Sequence, residues 1–178
     1  MNEQCRMDKQ TVKRNEAVPF RWVDKEDLLH RVRKGTREFM VLCANMEVDH
    51  EHPPADTHIA TPAVTAMIAF EGDYLGVVWA RCGEPLAGRI AAGMLGAGQA
   101  DDEDNVHVAL GALINVIGGD VKLFLARGGY AVDLSLPWVS SADETHHPHF
   151  IGGPESLFCS FLHGEERLLV GVNVRKAL

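Results

Sequence analysis

The stretch VALGALINVIGGDVKLFL, residues 108–125, decides how this chain is read. Its first part belongs to an almost uninterrupted apolar run from Val106 to Ile117 that carries one amide, Asn115, and stops at Gly118 and Gly119. Asp101, Asp102, Glu103 and Asp104 come just before the run. Acids there suit the positive end of a helix, where backbone N–H groups have no intrahelical acceptor. A helix ending at the paired glycines is therefore expected. Asn115 lies among Ile114, Val116 and Ile117, and a buried amide costs free energy unless it is hydrogen bonded. Two readings of it stay open: a packing asparagine with local hydrogen bonds, or an amide turned outward to a partner or to water. An outward amide can accept and donate at once, so it can orient a water molecule without changing its own protonation state.

Working outward, VKLFLARGGYAVDLSLP reads as two short strand-like pieces around Gly128 and Gly129. Upstream, TAMIAFEGDYLGVVWARC predicts a hairpin turning at Gly72 and Asp73, and Leu86 to Leu95 predicts a helix rich in small residues. Further upstream, DKEDLLHRVRKGTREFMVLCANM places Leu28, Leu29, Val32, Phe39, Met40 and Cys43 on a helical stripe, with Asp24 as its cap. Gly35 weakens the middle of that helix. At the other end, LFCSFLHGEERLLVGVNV predicts a last pair of strands turning at Gly164 and Glu165, with Val170, Val172 and Val174 alternating along a terminal strand whose edge has to be covered. The order is helix, two strands, helix, helix, two strands, two strands. It predicts an α+β domain with helices packed on a largely antiparallel sheet built from hairpins. GRIAAGMLGAG and GALINVIGG contain neither a GxGxxG nor a GxxxxGK[ST] pattern, which argues against a nucleotide-binding fold.

A length of 178 residues suits one core, so residues 1–18 are read as a polar extension and 19–178 as a single domain. Apolar residues make up 46% and charged residues 24%, an ordinary globular composition. The net charge of −8 disfavours a general nucleic-acid surface. Arg31, Arg33, Lys34 and Arg37 read as a solvated helix face. The opening MNEQCRMDKQTVKRNE holds no apolar run suited to a signal peptide or a membrane span, so a cytoplasmic protein without membrane insertion is expected. Cys5, Cys43, Cys82 and Cys159 are widely spaced and read as free thiols.

Two loops carry histidines: His50, His52 and His58 in one, His146, His147 and His149 in the other. Either would need converging ligands to hold a metal, and a polar loop or edge strand explains the first as well. His107 reads as a solvated or hydrogen-bonded histidine, Trp138 as core or rim packing, and Asp133 and Ser135 as alternating residues of a strand that ends at Pro137.

The stretch 108–125, followed by YAVDLSLPWV, resembles the CheX branch of the CheC/CheX/FliY family of bacterial chemotaxis phosphatases. The resemblance extends through MIAFEGDYLGVVWARC, PLAGRIAAGMLG and SLFCSFLHGEERLLVGVNV, covering about residues 24–174. The family pattern is an acidic residue, two further residues and an asparagine, with a glycine-containing turn after it. Here the asparagine falls on Asn115, the turn on Gly118 and Gly119, and the acidic position on Ala112. The resemblance implies a CheC/CheX-like fold and a phosphorylated chemotaxis-type response regulator as partner. It implies that Asn115 orients water for attack on the receiver's aspartyl phosphate, while Mg²⁺ is held by the receiver and no cofactor by this chain. It also allows a homodimer through sheet edges. Alanine cannot pair with the receiver's lysine as the family's acid does, so a non-catalytic binding protein is the alternative. Asp104 and Asp120 are the candidate substitute acids.

Overall fold

In the computed structural model, residues 24–51, 59, 61–99, 102–141 and 156–177 are described. The first 23 residues, including the expected extension, lie outside them, as do His52, His58, His146, His147 and His149. Three helices, α1 (Lys25–Leu42), α2 (Glu84–Leu95) and α3 (Glu103–Arg127), pack on one antiparallel sheet. The strands are β1 (Asp49–Glu51), β2 (Ala63–Gly72), β3 (Tyr74–Gly83), β4 (Val132–Leu134), β5 (Trp138–Ser140), β6 (Ser156–His163) and β7 (Glu166–Lys176). Their order is β1-β6-β7-β3-β2-β4, with β5 also paired to β2. The expected α+β class holds, with helices packed on an antiparallel sheet built largely from hairpins.

Both predicted hairpins form, β2 with β3 and β6 with β7. Alternate residues of the central strands face the helices: Val64, Ala66, Ile68 and Phe70 on β2, Val78, Ala80 and Cys82 on β3, Val170 and Val172 on β7. They meet Leu28, Val32, Phe39 and Met40 of α1 and the inner residues of α2 and α3 in one core. The other sheet face carries a smaller cluster around Trp79, Ile59, Ala63 and Leu169. Burial pushes the Cys82 and Cys159 thiols up to about 12, so these two free cysteines serve as core residues rather than nucleophiles.

Asp24 caps α1 as expected, and the acids before the apolar run stand at the start of α3, where the structure makes Asp102 the cap. The Asp24 carboxylate accepts from the N–H groups of Glu26 (2.9 Å) and Asp27 (3.3 Å), and Asp102 accepts from the N–H of Asp104 at 3.0 Å. Gly35 has a packing reason, because a side chain there would run into the Asp120 carboxylate on α3.

Two expectations fail. The helix does not stop at Gly118 and Gly119, and VKLFL is not a strand: α3 continues for 25 residues to Arg127. Val121 and Leu125 extend the buried three- and four-residue spacing of Leu110, Leu113, Ile114 and Ile117, so tertiary burial outweighs the low helix propensity of two glycines. Gly118 is a close approach instead of a turn, since a Cβ there would stand 2.8 Å from Ile68 Cγ2. The strand carrying Val170, Val172 and Val174 is not an edge either. It pairs with β3 on one side and β6 on the other, with Val170 and Val172 buried in the core and Val174 partly buried at its margin.

Candidate functional site

Nine residues of α3, from Val106 to Leu125, are buried at three- and four-residue intervals and fix the helix on the sheet and on α1 and α2. The opposite face is defined by exclusion, and Asn115 is exposed on it. Of the two open readings, the outward amide is therefore the one realised. Ala112 lies one turn earlier, half-buried, with its methyl packed against the core margin. Around them Val108, Val116 and Leu123 are exposed at 57%, 44% and 49%, so the amide stands in an apolar stripe. Residues three and four apart on a helix are surface neighbours, about 5 to 6 Å between Cβ atoms, so Ala112 sits where a side chain could share a partner with Asn115.

No acid replaces the one Ala112 lacks within a turn, since residues 105–119 contain no Asp or Glu. Asp104 lies in the first turn of α3, about 16 Å along the axis from Asn115. Asp120 is about 140° round the helix. It faces Gly35 of α1, where burial foremost, and then Glu38, raises its carboxyl pKa against the partial offset of Arg31, Lys34 and Arg127. Asp133 is engaged by Lys122 at 3.1 Å.

His107 has its Nε2 3.0 Å from Ser141 Oγ and 3.8 Å from the Glu103 carboxylate, a hydrogen-bonded histidine as expected. His50 sits on β1, edge-on to Phe161. Among the described residues no group of three or more His, Cys, Asp and Glu could hold a metal. A cleft of about 880 Å³ opens between the first turns of α2 and α3, lined by Glu84, Arg89, Glu103 and Ser141 among others, and Asn115 takes no part in it. The amide thus stands on an open helix surface, a shape that suits a protein partner better than an enclosed small molecule.

Sequence reasoning missed part of this face. With α3 ended at Gly118, Leu123 had no place on the stripe; the continued spacing of Ile117, Val121 and Leu125 was the signal for a longer helix. Leu136, assigned no role, is 88% exposed, and Trp138, expected in core or rim packing, is about half exposed and pairs with Met67.

The fold has solved relatives. Chemotaxis protein CheX from Vibrio vulnificus aligns at 19% identity and a TM-score of 0.68, over 85% of this chain and 98% of that one. The CheX of the CheX–CheY–BeF₃–Mg²⁺ complex from Borrelia burgdorferi aligns at 17% identity and a TM-score of 0.65, over 87% and 100% of the two chains. The FliM middle domain from H. pylori is more distant, at 9% identity and a TM-score of 0.56 over 84% and 89%. No curated protein matches in sequence. The family described as chemotaxis phosphatase CheX matches residues 64–160, a span that holds all but the first residue of β2, and β3, α2 and the whole of the helix bearing Asn115. That span exceeds half of the 178 residues, and with it this chain belongs to the CheX family.

Proposed function

We propose that this chain binds the phosphorylated receiver domain of a chemotaxis-type response regulator through the outer face of α3 and hydrolyses its aspartyl phosphate, with Asn115 orienting the water. One observation carries the reading: Asn115 is exposed on a helix whose other face is closed into the core. A related CheX has been solved in complex with CheY, which supports a receiver as the partner class.

The Asn115 carbonyl oxygen accepts a hydrogen bond from water and aims its lone pair along the line of the phosphorus–oxygen bond to the receiver's aspartate. The water oxygen bonds to phosphorus, the acyl phosphate bond breaks, and the products are a free aspartate carboxylate and inorganic phosphate, which takes the water's proton. Acyl phosphates are already activated, so the chain has to supply alignment rather than a strong base. In this reading Mg²⁺ belongs to the receiver, this chain holds no cofactor, and the protein works in the cytoplasm. A homodimer formed by strand addition would use β1 or the β4–β5 side, because β7 is paired on both sides.

Ala112 favours a second reading, a binding protein without catalysis. Truncating one partner of a hydrogen-bonded charge pair across an interface costs roughly 2 to 5 kcal/mol, much of it the penalty of leaving the other charge unpaired, so a chain with Ala112 has to bind through other contacts and lacks the group that would hold the receiver's lysine in place. The deciding measurement is loss of label from a phosphorylated receiver. The proposal expects acceleration by the wild-type chain and a decrease of roughly 10²-fold in Asn115→Ala. Complex formation without acceleration establishes the second reading. Ala112→Glu is expected to raise the rate, because it returns a carboxylate to the position one turn from the amide.

A further inference from the structure

Building on the proposed receiver partner, we propose that Leu136 seats the receiver beside Asn115, and that docking proceeds by apolar burial in place of a charge pair. Gly111, Asn115, Gly118 and Lys122 follow each other at four- and three-residue steps and form one ridge of α3. The connection between β4 and β5 runs along that ridge. A Cβ on Gly118 would lie 3.7 Å from Leu134 Cδ1, and a Cβ on Gly111 would lie 3.9 Å from Pro137 Cβ and from Val139 Cγ2. Asn115 is midway between the two glycines, so Ser135 and Leu136, midway between the two contacts, fall level with it.

Leu136 is held there. The Ser135 N–H donates to Ala69 O at 2.9 Å, its hydroxyl oxygen accepts from Ala69 N at 3.0 Å, and its hydroxyl donates to Leu136 O at 2.9 Å. A leucine fixed by its neighbour's hydrogen bonds and still 88% exposed is prepositioned apolar surface. On the other side of Asn115, at about 100° per residue, runs the stripe of Val108, Ala112, Val116 and Leu123, and residues 105–119 contain no Asp, Glu, Lys or Arg. A receiver approaching Asn115 meets Leu136 on one flank and this uncharged stripe on the other. Continuity with the amide is what commits the surface to the receiver.

The test is a titration of a CheY receiver loaded with Mg²⁺ and BeF₃⁻ against the full chain, as wild type, Leu136→Ala and Leu136→Asp. Burying a leucine side chain supports a loss of about 10-fold in affinity for Leu136→Ala and about 100-fold for Leu136→Asp. Apolar docking also predicts that wild-type affinity stays within about 2-fold between about 0.05 and 0.5 M salt, where exposed charge pairs are screened. Leu136→Asp binding as tightly as wild type, or a steep salt dependence of the wild type, overturns this inference and leaves the proposed function standing. A wild-type chain that binds no such receiver overturns both.

Discussion

The inner and outer faces of α3 are both apolar, and they meet opposite fates. Leu110, Leu113, Ile114 and Ile117 are closed against the sheet, while Val108, Val116 and Leu123 on the other side remain in water. By length and composition α3 could cross a membrane, as core helices of soluble folds also can. Apolar character therefore does not separate structural residues from interaction residues here; the position of the sheet does. The inner face gains its burial on folding, at about 25 cal/mol per Å², whereas the outer face gains it only when a partner arrives. In the proposed function, Asn115 stands on the face that the arriving receiver covers.

The strongest challenge to this division is a matched pair of truncations. Ile114→Ala is expected to cost about 2 to 5 kcal/mol, through lost transfer energy and the cavity left behind. Val116→Ala is expected to stay within about 0.5 kcal/mol, as at most open surface positions. Urea unfolding of both variants measures the gap. Equal costs would mean that the outer face is covered within the folded chain, leaving no surface for a receiver.

Gly118 and Gly119 sharpen the same comparison with two adjacent residues. Alanine at either gains about 1 kcal/mol of helix propensity. At Gly118 the new methyl meets Ile68 Cγ2 at 2.8 Å, and Ile68 is buried and β-branched, with little freedom to turn aside. Overpacking of this kind costs roughly 1 to 3 kcal/mol, so Gly118→Ala is expected to destabilise on balance. At Gly119 nothing among the described residues lies within 4 Å, so Gly119→Ala is expected to stabilise. Thermal unfolding midpoints should move in opposite directions.

That pair also shows how much was legible in the sequence. Fold class, both hairpins, the Asp24 cap, the acidic start of α3 and the family were readable because each rests on local pattern: alternation, turn residues or acids before an apolar run. The paired glycines misled because their usual meaning is local, a helix stop, and their meaning here is tertiary, a close approach to Ile68. The same limit applies to the last strand. Its valine alternation said that one face is buried but could not say that both of its edges are paired. For the site, the sequence singled out Asn115 and the missing acid at Ala112. Leu136 was beyond it, because the contacts of Leu134 and Pro137 with α3 arise only once β4 and β5 dock on β2.

The smallest effect is expected on the third flank of α3, where Asp120 faces α1 rather than either face compared above. Burial foremost, with Glu38, raises its carboxyl pKa, and Arg31, Lys34 and Arg127 offset this in part. A folded-state pKa above the unfolded one means that folding favours the protonated acid, so the stability this group contributes is present in acid. It is lost as pH rises through the unfolded and then the folded value. Asp120→Asn removes that loss. Wild type and variant are expected to unfold at similar urea concentrations near about pH 3, with the variant pulling ahead as pH rises through the carboxylate range to about pH 7. A gap that is constant or closes with pH would mean that the Asp120 carboxylate is better accommodated than its surroundings imply. Receiver dephosphorylation by this variant should match wild type, because its side chain lies about 140° from Asn115. A slower rate would make Asp120 the acid that Ala112 lacks and would extend the docking face round the helix to α1.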